Sequence, residues 1–202
     1  MVDQPHFEDE KALSVWSALA VEAMKKAAEG FSGMIGQQLS ITQPEVKMLP
    51  FTEIPNALGG PEAEAAGIYL RCDGDIPAQF MLILPYEKAF EICDMLFERP
   101  IGETEQLGSL ERSALAEVGN LTGTFFMNSI AATTGLKLLP TPPAVMVDMV
   151  GAILDIIVAT TGGVSDSVLV LKTAFQFNDR EVKADFWVIP DQKTLKKVVA
   201  NF

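Results

Sequence analysis

A chain of 202 residues with 49% apolar side chains and positive mean hydropathy can bury a sizeable core, as one domain or two small ones, which argues against disorder. Its formal charge of −12 provides no basic patch to displace counterions, which argues against nucleic acid and anionic membrane surfaces as partners. Cys72 and Cys93 are too few and too unpatterned for a disulfide framework or a zinc site, so a reducing cytoplasm is the simple setting, and the single His6 leaves histidine-based metal or triad chemistry without material.

In chain order, the opening MVDQPHFEDEK carries acids and no apolar run, so it does not read as a signal peptide. Residues 9–42 read as one long helix or two abutting ones, with Trp16, Leu19, Ala20, Ala23, Met24 and Ala27 recurring at three and four; Gly30, Gly33 and Gly36 weaken the second half and Pro44 stops it. EVKMLPF (45–51) is a short strand, and IPNALGGPEAEAAG (54–67), rich in Gly, Pro and acids, reads as a loop. GIYLRCD (67–73) and AQFMLILP (78–85) form a hairpin through Asp73, Gly74 and Asp75, and the unbroken apolar run of the second strand predicts burial on both faces. YEKAFEICDMLFERP (86–100) is a helix closed by Pro100, and GETEQ (102–106) is a polar connection.

The stretch 109–134, SLERSALAEVGNLTGTFFMNSIAATT, reads as the helix around which the chain is organised. Ser113, Glu117 and Asn120 fall at i, i+4 and i+7, so three polar heads line one stripe about two turns long. Leu110, Leu115, Val118, Leu121, Phe125 and Met127 are expected on the opposite, docking side. Gly119 and Gly123 sit beside the polar stripe and together cost the helix about 2 kcal/mol relative to alanine, so something is expected to approach closely there. Asn128 either extends the polar surface or packs or caps.

After Gly135, a strand about LKLLP, a turn at 140–143 and the strand AVMVD lead into a helix over 149–161. Its apolar side carries Val150, Ile153, Leu154, Ile157 and Val158; Asp148 and Asp155 interrupt the most hydrophobic window, 144–164, which makes it a core helix with a solvated polar face and not a membrane span. DSVLVLKTAFQF (166–177) and VKADFWVIP (182–190) form a hairpin around Asn178, Asp179 and Arg180, and DQKTLKKVVANF closes the chain as a helix.

Both halves, about 9–100 and 102–202, thus run long helix, strand, hairpin, strand ending in Pro, short helix. AQFMLILPYEKAFEICDML matches ADFWVIPDQKTLKKVVAN, and SALA occurs at 17–20 and again at 113–116. This points to an internally duplicated single domain of the α+β class: hairpins merged into one antiparallel-rich sheet, with two long surface helices. Aligned by SALA, Val21 and Met24 stand where Glu117 and Asn120 stand, and the first asparagine is Asn56, so one polar stripe is expected and not two.

SALAEVGN resembles the signature of the CheC/CheX/FliY family of response-regulator phosphatases, in which Asp or Ser, three residues, Glu, two residues and Asn follow one another; Ser113, Glu117 and Asn120 match it. The resemblance continues through GLKLLPTPPAV (135–145), DMVGAILDIIV (148–158) and FWVIPDQKTLKKVV (186–199). It implies hydrolysis of the aspartyl phosphate of a CheY-like response regulator in chemotaxis or a related two-component circuit. Asn120 would orient the attacking water, Glu117 would accept a hydrogen bond from the regulator's lysine, and Ser113 would be an edge contact. No cofactor of the chain's own is implied; Mg2+ is supplied by the phosphorylated regulator. The alternatives are an adaptor, binding a response regulator or a CheD-like deamidase, and a scaffold whose first site has decayed.

Overall fold

A computed structural model describes residues 10–35, 38–42, 45–161, 167–177, 180–190 and 192–202; the expected opening segment to residue 9, the Pro44 stop and the 178–179 turn lie outside the described residues. In order, the elements are α1 (Glu10–Ile35), β1 (Leu39–Ile41), β2 (Glu45–Pro50), a 3-10 turn (Phe51–Glu53), α2 (Ile54–Ala57), β3 (Glu64–Gly74), β4 (Ala78–Pro85) and α3 (Tyr86–Leu96). The second half follows the same pattern with α4 (Ser109–Thr134), β5 (Leu138–Pro140), β6 (Ala144–Met149), α5 (Val150–Thr161), β7 (Ser167–Phe177), β8 (Arg180–Pro190) and α6 (Gln192–Asn201).

All eight strands join one mixed helix-and-sheet fold through antiparallel pairings, in the order β1, β7, β8, β4, β3, β5, with β2 also on β7 and β6 also on β3. At the centre β4 pairs β8, with Met81 opposite Trp187 and Leu82 opposite Phe186. The outer positions are exchanged: β1 and β2, from the first half, complete the side of β7, while β5 and β6, from the second, complete the side of β3.

Within AQFMLILP, Phe80 to Leu84 are apolar at every position because the strand there has no wet face. Alternation sends Phe80, Leu82 and Leu84 into a core shared with α1, α3, α4 and α6, and sends Met81 and Ile83 into a second core closed by Val150, Ile153, Leu154 and Ile157 of α5. Phe80, Phe126 and Phe186 meet at centroid distances of 5.1 to 6.1 Å, which locks the middle of α4 onto the sheet. As expected, Asp148 and Asp155 are exposed; Val158 is 43% exposed, so the buried side of α5 is narrower than its periodicity implied.

Three expected boundaries move. The helix expected over 9–42 ends at Ile35, and Leu39, Ser40 and Ile41 extend against Phe177, Gln176 and Phe175, because a β-branched residue and an open sheet edge outweigh continued helix. The expected loop 54–67 contains α2, and its last residues are already strand: Glu64 faces Met149 and Ala65 is held between Asp148 and Pro85. The helix expected to reach Pro100 stops at Leu96, where Glu98 takes φ 55° and the Arg99 N–H donates to the Asp94 carbonyl at 2.8 Å.

Candidate functional site

The helix α4 begins and ends where its sequence indicates, at Ser109 and at Gly135, whose φ of +68° and N–H bond to the Ala131 carbonyl form a left-handed cap. Its buried residues, among them Leu115, Val118, Gly119, Thr122, Gly123 and Phe126, form the floor. The sheet requires glycine at 119, where a Cβ would lie 2.1 Å from Ile68 Cγ2, and leaves little room at 123, where one would lie 3.2 Å from Leu70 Cδ2. The close approach expected beside the polar stripe is therefore made on the far side of the helix, by β3. Thr122 donates to the Val118 carbonyl at 2.8 Å, so a hydroxyl fits in this floor without an orphaned group.

Opposite that floor stand the predicted residues. Ser113 and Glu117 are exposed and Asn120 is half-buried, and none of the three side chains bonds or pairs with a described residue. At the helical angle per residue, Leu110, Ser113, Glu117, Asn120 and Thr124 fall within about 80° of one another. Leu110 was expected on the docking side; it is 55% exposed and lies on the polar stripe, because ten residues before Asn120 is nearly three full turns. Phe125 is half-buried against Gly30 of α1, and Asn128 is exposed.

The entry to α4 is held by a network the sequence reading did not identify. Asp94 is fully buried at the end of α3 and accepts from the Gly102 N–H at 2.7 Å and the Thr104 N–H at 2.9 Å. Burial acts to raise its carboxyl, but the Thr104 side chain and these backbone donors outweigh it, so the group lies below its ordinary pKa. Arg99 donates to Thr104 Oγ1 at 3.3 Å and to Glu111 Oε1 at 3.2 Å. Glu111 lies below its ordinary pKa, first through its own backbone N–H and then through Arg99. The only signal in the sequence was an acid inside the apolar run ICDML.

Cysteine chemistry finds no support here. Both cysteines are buried and free, and burial, with Glu111 and Asp94 nearby, pushes the Cys93 thiol up to about 12. Among the described residues no three His, Cys, Asp or Glu side chains are grouped to hold a cation, and no helix is long and apolar enough to cross a membrane. A groove of about 670 Å3 borders Lys172, Lys183 and Asp185, whose carboxyl is raised by burial against the pull of Lys172. Strand alternation from Val170 and Trp187 puts these side chains on the α5 face, away from the stripe.

Residues 110–147, which include the stripe, match the CheC-like family. The CheY-P phosphatase CheC of Bacillus subtilis (strain 168) is 28% identical over 176 residues, covering 85% of this chain and 84% of that protein. Thermotoga maritima FliY has the same fold, with a TM-score of 0.74 at 20% identity over 100% of this chain and 98% of its own. The CheX–CheY–BeF3–Mg2+ complex of Borrelia burgdorferi gives a TM-score of 0.54 at 15% identity over 86% and 98%. The stripe segment, the relative over most of the length and the overall fold thus point the same way, and the chain is similar to CheC-like proteins.

Proposed function

We propose that this chain is a phosphatase that hydrolyses the aspartyl phosphate of a CheY-like response regulator. The observation that carries the reading is the pairing of an exposed Glu117 and a half-buried Asn120, without internal partners among the described residues, on a helix clamped to the sheet. Hydrolysis of an acyl phosphate asks little of a protein beyond placing water in line and compensating charge. Asn120 orients the water: a neutral amide accepts from it and donates to a phosphoryl oxygen without titrating. Glu117, about one turn away, accepts a charge-assisted hydrogen bond from the regulator's lysine. Ser113 is an edge contact. Any divalent ion in the reaction arrives with the phosphorylated regulator.

Two findings about relatives support this reading. The relative over most of the chain is a CheY-P phosphatase, and a CheX of the same fold is found in complex with CheY. One site serves the chain, because on α1 Met24, at the position aligned with Asn120, is 1% exposed.

The test is decay of an acyl-phosphorylated CheY-type receiver, with wild-type chain and with Asn120→Ala. Acceleration by the wild type, reduced at least about a hundredfold in the variant, is expected. Wild-type acceleration retained by Asn120→Ala would remove the amide from the reaction. Absence of acceleration by the wild type would leave an adaptor, and binding of a CheD-like deamidase is then the measurement to make.

A further inference from the structure

Two large apolar side chains stand in water where α4 begins. Leu110 is 55% exposed and Ile101 is 53% exposed; apart from Phe202 at the end of the chain, no large apolar side chain among the described residues is more exposed. Neither sits on a soft segment. Ile101 lies in the turn whose backbone N–H groups, at Gly102 and Thr104, are held by the buried Asp94. Leu110 adjoins Glu111, and the ion pair of Glu111 with Arg99, at 3.2 Å, ties the turn of Ile101 to the first turn of α4. A buried carboxylate with several donors is an expensive way to shape a surface connection, and its effect is to fix the backbone that carries Ile101 beside the start of α4.

The charge around them is mostly negative. Arg99 is engaged by Thr104, Glu103 and Glu111, and the exposed Arg112 donates through Nε to the Leu107 carbonyl at 3.1 Å, whereas Glu103, Glu105 and Glu117 are exposed and outnumber them. A complementary partner presents an apolar patch beside a cation. On the phosphatase reading, on which this step rests, such a partner is the phosphorylated receiver with its active-site lysine.

We propose that Ile101 and Leu110 form a pre-ordered apolar anchor at the N-terminal end of the α4 stripe, on which the phosphorylated receiver docks so that Glu117 and Asn120 meet its active site. The anchor contributes to association and takes no part in the hydrolytic step, since neither side chain reaches along the helix to Asn120, about 15 Å from Leu110. Because the backbone that carries both side chains is already tied down, little backbone ordering entropy opposes the contact.

The experiment compares wild type, Leu110→Ala, Ile101→Ala, the double variant and Ile156→Ala in the receiver-decay assay, over a range of acyl-phosphorylated CheY-type receiver concentrations. Ile156 is 46% exposed on α5 and serves as an equally apolar control on the other side of the sheet. The double variant is expected to raise KM about tenfold, with kcat within about twofold of wild type and an unchanged Tm, while Ile156→Ala behaves as wild type. A double variant with the wild-type KM overturns the anchor and leaves the phosphatase reading standing. No acceleration by the wild-type chain overturns that reading and the anchor with it.

Discussion

The two long helices carry the same tetrapeptide and are rolled differently on the sheet. Aligned by SALA, α1 buries Leu19, Ala20, Ala23, Met24 and Ala27, whereas α4 buries Leu115, Val118, Gly119, Thr122 and Gly123. The shared seam is Leu, small, small; to one side of it α1 commits Met24 to the core, where α4 leaves Asn120 half in water. The seam also differs in size. Alanines suit α1, while at Gly119 of α4 the Ile68 side chain leaves no room for a methyl group. A roll of about one residue and the loss of two methyl groups thus separate a helix that only packs from one that packs on one side and presents polar groups on the other.

The most damaging way to break this contrast is to copy the amide across. Met24→Asn is expected to destabilise the fold by about 3 kcal/mol in urea unfolding, because it deletes a buried side chain and buries an amide without partners, and to add no phosphatase activity. A stable Met24→Asn chain with doubled activity would mean that α1 can rotate to present a second site. Next in size, Gly119→Ala is expected to cost about 2 kcal/mol net, since the gain in helix propensity is outweighed by a contact of 2.1 Å with a β-branched side chain held between strands. Gly30→Ala sharpens the comparison from the other side. Its Cβ would also meet a neighbour at 2.1 Å, but that neighbour is the far end of the half-buried Phe125 ring, which can turn away, so unfolding should stay within about 1 kcal/mol of wild type.

These contrasts mark what could be read from the chain alone. The extent of α4 was legible because Gly135 is a strong local stop and the helix needs no partner to define its ends. The burial of β4 on both faces followed from a short apolar run, Phe80 to Leu84, bounded by a turn on one side and Pro85 on the other. Ser113, Glu117 and Asn120 fall on one outer stripe because that depends on helix geometry only. The rest needed tertiary information. A single β-branched residue, Ile41, is too little to predict a strand in LSI; its partner, Phe175–Phe177, lies far along the chain. Leu110 looked like core because periodicity counts apolar residues without knowing which side the sheet is on. The glycines signalled close approach, but not that β3 makes it. Asp94 looked like one more acid until the chain folded two N–H groups onto it.

The exchange of outer strands has a consequence for how the molecule comes into being. Leu39 pairs with Phe177, and Glu45 with Lys172, so β1 and β2 leave the ribosome long before the strand that completes them exists. Contacts of such sequence separation make folding slow relative to its stability and concentrate it in one late event. The open edge of β3 can be covered once β5 and β6 are made, but that of β4 stays open until β8, residues 180–190, is made. The stripe on α4 therefore becomes rigid only when nearly the whole chain is present, and an incomplete chain offers no half-formed site to a partner.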